Sequence, residues 1–256
     1  MSDAPLVRVV EDVDVVRITL ARPPLNILNL EMLESLRAAL ESAALRPALK
    51  AVVLAAEGKA FCAGVAVEDH LGDRAKLMLE AFHMVFHALR ALECPTVAAV
   101  QGAALGGGAE LATFCDLVVA EETATFGQPE IKVGVFPPIA VLHYPLRIGP
   151  ARALRLILTG EVIGAAEAER IGLVDRVVPA GQLAEAMEAE VGRFRALSAV
   201  VLRLTKRAVH EARRLPFEEG LGVLEDLYHH DLMTTADAEE GLRAFMEKRK
   251  PVWRDR

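Results

Sequence analysis

Aromatic residues make up only 5% of this 256-residue sequence, with one tryptophan and two tyrosines. That leaves little of the stacking surface used by proteins that bind single-stranded nucleic acid. Positive charge is also the minority sign: 29 Lys and Arg against 36 Asp and Glu give a net charge of −7. The charges are interspersed, so the basic face of a nucleic-acid binder is excluded. Cysteine is scarce, and Cys62, Cys94 and Cys115 form no CxxC or Cys/His spacing. Neither a disulfide framework nor a metal site is expected, and free thiols fit a reducing compartment. No apolar run approaches the roughly 20 residues that a membrane span needs. The opening Met-Ser-Asp-Ala-Pro lacks a basic stretch followed by an apolar one. The expectation is a cytoplasmic protein with no leader and no membrane segment. No internal repeat or low-complexity segment is present.

What is abundant is apolar residues, at 53%, enough for a large core. Residues 6–20 are rich in Val and broken at Glu11-Asp12, which predicts a β-hairpin ended by Pro23-Pro24. Helical spacing of Met32, Leu33, Leu36, Ala39 and Leu40 predicts a helix over 31–45. A buried strand is expected at 50–55, a helix at 75–92, a strand at 95–100, a helix at 107–115 and a strand at 116–120. Short apolar strands alternating with helices give an α/β class with βαβ-type units. Beyond about Gly181 only helical periods remain, over 183–197, 199–213, 217–229 and 235–248. The expected organisation is a core domain, 1–195, and a C-terminal helical domain, 196–256, too thin to fold well alone.

Three segments carry the chemistry. Residues 58–65 follow the first of these strands, 102–110 follow the second, and 126–130 follow the third. Gly106, Gly107 and Gly108 allow a backbone to approach a ligand closely. The helix they open begins with unpaired N–H groups and a positive dipole end, suited to an oxygen gaining negative charge. Gly64-Val65 could add a second donor. Dinucleotide and P-loop patterns both fail here, while a tight turn with close helix packing explains the glycines equally well. Glu110 and Glu130 sit among apolar residues, where an unpaired carboxyl holds its proton more tightly and can serve as acid or base. Taken singly, Glu110 could instead complement the helix dipole, and Glu130 could be an ordinary loop charge.

The ordered set KAFCAG (59–64), AAVQGAALGGGAELATFCDLVVA (98–120), FGQPEIKVG (126–134) and EGLRAFMEKRKP (240–251) resembles the crotonase, or enoyl-CoA hydratase/isomerase, superfamily. With RPPLNIL at 22–28 and LTGEVIGAAEAERIGLVDRVVP at 158–179, the resemblance covers nearly the whole chain. It implies a ClpP-like spiral of ββα units with a C-terminal helical layer, assembled as a trimer or a dimer of trimers. It also implies Val65 and Gly107 as oxyanion-hole N–H donors and Glu110 and Glu130 as catalytic glutamates. Leu25, Ala63, Gly64, Val67, Gly106, Pro129 and Pro137 match positions near CoA or the acyl group. Phe245 and Lys248 match positions that reach a neighbouring subunit's CoA. No metal and no separate cofactor are implied, because coenzyme A enters with the acyl-CoA substrate.

Hydration of a conjugated acyl-CoA is the activity that two glutamates imply. Isomerase or thioester hydrolase chemistry on the same scaffold, or a non-catalytic CoA- or RNA-binding relative, are the alternatives. Two departures stand out: Val65-Ala66-Val67-Glu68-Asp69-His70 after Gly64, and Pro138-Ile139-Ala140-Val141-Leu142-His143 after Pro137. Pro138 removes a backbone donor, and Ile139, Val141 and Leu142 are expected to reshape an acyl pocket, with Asp69 and His70 as candidate lining residues. Residues 67–83 and 126–138 resemble the subgroup that hydrates cyclohexa-1,5-diene-1-carbonyl-CoA.

Overall fold

The computed structural model describes residues 5–255. The expectation of no N-terminal leader rests largely on residues 1–4, which lie outside them. The predicted hairpin forms from β1 (Val7–Glu11) and β2 (Val15–Leu20), paired antiparallel from Val7 opposite Leu20 to Glu11 opposite Val16. Beyond it, β3 (Ala51–Ala56), β4 (Thr96–Val100), β6 (Leu117–Glu121) and β9 (Arg176–Val178) continue in parallel, in the order β1-β2-β3-β4-β6-β9. The central strands read as unbroken apolar runs because both sheet faces are covered.

One face carries the larger core. Against it lie α1 (Leu30–Ala44), capped by the Asn29 side chain on the Met32 N–H, α2 (Arg74–Ala91) and α3 (Gly107–Phe114). The other face packs Val15, Val53, Val97 and Val119 against Ala186, Met187 and Val191 of α7 (Leu183–Arg195). Both faces therefore exclude water, and Cys62, Cys94 and Cys115 are all buried.

A second sheet, β5 (Ala103–Leu105), β7 (Thr125–Gly127) and β8 (Val162–Gly164), stands beside the first. The repeat is then visible: β4, β5, α3, followed by β6, β7 and α4 (Pro138–Ile148). An isolated bridge of Cys62 to Ala104 gives β3 and α2 the same intermediate step. This is the expected spiral of ββα units. The second sheet is absent from the sequence reading because three residues are too few to show a two-residue period. Between β7 and β9 lie α4, α5 (Pro150–Thr159) and α6 (Ala165–Arg170).

The chain closes with α8 (Ala199–Ala212), α9 (Phe217–Asp226), a wider helical turn at Leu227–Leu232, and α10 (Ala236–Met246). Ends differ from expectation by a residue or two, as fraying termini do. Lys206 ties α8 to the core, its ammonium 2.7 Å from Asp116 and 2.9 Å from the Cys94 carbonyl. Buried Asp237 of α10 accepts the Arg254 and Asp255 N–H groups at 2.7 and 2.9 Å, and the Asp255 carboxylate accepts the Ala199 N–H at the start of α8 at 2.7 Å. Among the described residues no helix is long and apolar enough to cross a membrane.

Candidate active site

Three neighbours explain the three successive glycines at the head of α3. A Cβ on Gly106 would lie 2.6 Å from Glu130 Oε1, one on Gly107 2.7 Å from Val65 Cγ2, and one on Gly108 2.2 Å from the Cys62 carbonyl oxygen. The glycines are therefore required where the 62–65 segment and Glu130 close upon the helix start. Gly106 adds a positive φ of 51° at the turn from β5 into α3, and its N–H donates to the Gly127 carbonyl at 2.9 Å. All three sequence segments thus meet at one point.

Val65 is reached through a local ladder. The Leu28 N–H donates to the Gly64 carbonyl and the Ala66 N–H to the Leu28 carbonyl, each at 2.9 Å. In such a parallel step the residue between, Val65, turns its own N–H away from Leu28. The Gly107 N–H lies in the first turn of α3, where no intrahelical acceptor exists. One residue before Gly64, the Ala63 N–H donates to the Leu25 carbonyl at 2.9 Å, which joins those positions to the same edge.

Glu110 is 2% exposed, and its Oε1 accepts the Ala140 N–H from the first turn of α4 at 2.8 Å. Burial pushes its carboxyl up to about 8; the neighbouring Glu130 charge acts in the same direction, while the Ala140 and Ile139 N–H groups oppose it. Glu130 lies in a short 3₁₀ turn, Pro129–Val133, closed by Gly134 at φ 83°, rather than in an irregular loop. Burial raises its proton affinity too. Its Oε2 is buried and, among the described residues, meets no hydrogen-bond donor. A buried acceptor left so costs about 1–3 kcal/mol, which is the mark of a group kept for a ligand or water.

Beneath the pair lies a polar layer that sequence reasoning missed. Gln128 is fully buried and donates from Nε2 to the Tyr144 hydroxyl at 2.7 Å. The Thr113 hydroxyl, which donates to the Ala109 carbonyl at 2.6 Å, adjoins the same tyrosine oxygen. Gln128 stood inside a quoted motif, but nothing in its spacing points to a tyrosine sixteen residues on.

The remaining expected positions fall into two groups. Gly106, Pro129 and buried Pro137 lie beside the glutamates, on the α3 turn, the 3₁₀ turn and the start of α4, while Leu25 and Val67 are 47% and 65% exposed at the outer edge of the Gly64 segment. Phe245, 84% exposed, and Lys248, at φ 54°, lie on α10 and just past its end; α10 packs on α8, and the chain does not bring them to Glu110.

Pro138 occupies the first helical position of α4, where a missing N–H breaks no helix bond, and the donor that matters is Ala140. Of the bulky residues after it, Ile139 packs on the core, whereas Val141 and Leu142 are 42% and 69% exposed. Asp69 is buried and turned to the Arg74 guanidinium, and His70 Nδ1 lies 3.0 Å from the Ala66 carbonyl oxygen.

Comparison with known proteins matches residues 11–256 to the family model described as enoyl-CoA hydratase/isomerase. A Mycobacterium tuberculosis protein named probable enoyl-CoA hydratase is 41% identical over 243 residues, spanning 93% of this chain and 94% of its own length. The cyclohexa-1,5-dienecarbonyl-CoA hydratase of Thauera aromatica is 39% identical over 250 residues, spanning 96% and 95%. The crystal structure of an enoyl-CoA hydratase from Bacillus anthracis superposes with a TM-score of 0.91 at 32% identity, covering 98% of this chain and all of the other. The glycine-opened helix with Glu110 and the adjoining turn with Glu130 thus sit in a scaffold matched over nearly the whole chain, and the chain belongs to the enoyl-CoA hydratase/isomerase family.

Proposed function

We propose that this protein is an enoyl-CoA hydratase that adds water across a double bond conjugated to a CoA thioester, with Glu110 and Glu130 as its acid–base pair. The observation that carries the reading is the pair itself: two carboxyls of raised proton affinity on adjoining segments, one with an unpartnered buried oxygen. The hydratase names of relatives that match nearly end to end support it.

In this mechanism the thioester oxygen is received by the Val65 and Gly107 N–H groups. Polarisation there stabilises enolate character as the hydroxyl group adds, and one such donor contributes about 3–4 kcal/mol in acyl-transfer enzymes. Water is held between Glu130 Oε2 and the Glu110 oxygen not used by Ala140. One carboxylate takes the water proton while the other gives a proton to the substrate carbon. The Glu130 charge raises the Glu110 carboxyl, so ionisation of one favours protonation of the other, and the two roles belong to the pair. Leu25, Ala63, Gly64 and Val67 form the edge along which the CoA portion runs, with Gly106, Pro129 and Pro137 lining the acyl end.

Exposed Phe245 and Lys248 complete the site of a neighbouring subunit in a trimer or a dimer of trimers. Exposed Leu142 and Leu146 of α4 and Leu154 and Leu158 of α5 supply apolar surface for that assembly. The acyl group is proposed to be the alicyclic dienoyl ring, on the strength of the Thauera relative and the 67–83 and 126–138 segments.

The test follows CoA products by mass after incubation with cyclohexa-1,5-diene-1-carbonyl-CoA and, separately, crotonyl-CoA. Gain of one water with the ring substrate is the expected result. Gain with crotonyl-CoA alone returns the enzyme to straight-chain substrates, and a shifted double bond or free CoA in place of a hydrated product overturns the hydratase reading.

A further inference from the structure

Glu110 and Glu130 belong to different segments of the spiral, and nothing in a helix or a 3₁₀ turn by itself fixes how far apart they stand. The β5–β7 pairing brings Gly127 beside Gly106, and a buried polar layer beneath the pair adds a second link. Gln128, two residues before Glu130, donates to the Tyr144 hydroxyl at 2.7 Å. Tyr144 is 1% exposed, so its own proton must also find an acceptor within the protein. The Thr113 hydroxyl adjoins the same tyrosine oxygen and donates its own proton to the Ala109 carbonyl at 2.6 Å. Ala109 directly precedes Glu110.

We propose that the Gln128–Tyr144–Thr113 chain is a positioning device that sets the spacing of the two carboxylates. It runs from the Gln128 amide to the Tyr144 hydroxyl, and from the adjoining Thr113 hydroxyl to the α3 backbone at Ala109. The same helix, α4, carries both Tyr144 and Ala140, so the element that sets Glu130 through Gln128 also donates directly to Glu110. A second tie keeps α4 in register with the far end of α3: His143 Nε2 lies 2.8 Å from the Thr113 carbonyl oxygen, and Arg147 donates to the Thr113 and Cys115 carbonyls at 3.2 Å. Helix α4 therefore acts as a splint along α3. None of these side chains needs to touch substrate; each acts through the glutamates. The proposal rests on the acid–base reading of that pair.

The experiment compares the full-length wild type with Tyr144→Phe, Gln128→Leu and the double variant, using whichever of the two CoA thioesters is hydrated. The phenylalanine keeps the ring and removes only the hydroxyl. Expected for Tyr144→Phe is a fall in kcat of roughly 10-fold, within the range for an unpaired buried group, with KM changed less than twofold. The double variant should lose no more than the worse single variant, since either change breaks the same chain. A Thr113→Val variant should fall with them.

Carbon-13 titration of the Glu110 carboxyl supplies a readout that needs no turnover. When the 3₁₀ turn relaxes away, the Glu110 carboxyl should titrate at lower pH in Tyr144→Phe than in wild type, while far-ultraviolet dichroism stays the same. Wild-type kcat and an unmoved Glu110 titration in Tyr144→Phe overturn the positioning role, as do additive losses in the double variant. Full turnover in both Glu110→Gln and Glu130→Gln would instead overturn the acid–base reading, and the carboxyl titration still decides whether the chain sets their spacing.

Discussion

Glu110 has one oxygen tied to the Ala140 N–H and a proton held up to about pH 8, so replacing its carboxyl separates chemistry from stability. Glu110→Gln and Glu130→Gln should each lower kcat by roughly 10²–10⁴-fold, the range of general acid–base catalysis, with the fold retained. Stability should move differently. The folded chain binds the Glu110 proton more tightly than the unfolded chain, so its contribution is complete below the ordinary value of 4.5 and is lost as pH rises through about 8. Thermal unfolding followed from pH 6 to 9 should show that loss in the wild type and a flatter course in Glu110→Gln. Glycines and apolar neighbours mark the two glutamates as candidates in sequence, and the family resemblance is what pairs them, since each taken singly reads as a dipole partner or a loop charge. The donor that holds Glu110 is not, since the backbone N–H of Ala140 has no signature of its own. The Gln128–Tyr144 bond escapes for a related reason, its partners being joined only after α4 has packed.

The turn into α3 shows what a single added carbon does to an element. Gly106→Ala must place a side chain at φ 51° and displace the Glu130 carboxylate, whose Oε1 lies 2.6 Å from the added Cβ. The strain should destabilise the fold by about 1–3 kcal/mol. It should also lower kcat, with chemical denaturation and steady-state kinetics as the two measurements. The main sheet and principal helices could be read from apolar runs and 3.6-residue spacing. The second sheet could not, yet it aligns Gly127 with Gly106 and so brings the Glu130 turn over α3. Three-residue strands are set by the partners they meet, and those partners are distant in sequence.

At the scale of the molecule, the Lys206–Asp116 ion pair helps join the C-terminal helices to the sheet. Asp116 accepts the Thr96 N–H and hydroxyl at 2.7 and 2.8 Å and pairs with Lys206 at 2.7 Å. Against the cost of burial, the contacts from His210 and Lys206 hold its carboxyl down at about 2. A depressed carboxyl contributes above the unfolded value of 3.8 and is lost as pH falls to about 2. Lys206→Met should destabilise the chain by about 2 kcal/mol, the range for hydrogen bonds to charged groups, with loosening first at α8 by amide hydrogen exchange. For the assembly, sedimentation should give three or six times the 27.7 kDa chain mass. A monomer would leave exposed Leu142, Leu146, Leu154 and Leu158 without a partner. The helical character of the last third is plain in the sequence; the ties that dock it are not, because Lys206 and Asp116 read as two ordinary surface charges.

The buried cysteines give the molecule a built-in stopwatch. Cys62 lies beside the Gly64 turn, Cys94 beneath Lys206, and Cys115 at the end of α3, and burial pushes their thiols up to about 12, 11 and 12. A thiol that is neither exposed nor ionised is inert to alkylating reagents. Each cysteine therefore becomes reactive only when its own part of the spiral opens. The order in which iodoacetamide marks the three under mild denaturant would show whether the active-site turn, the α8 dock or the end of α3 breathes first, with no engineered probe.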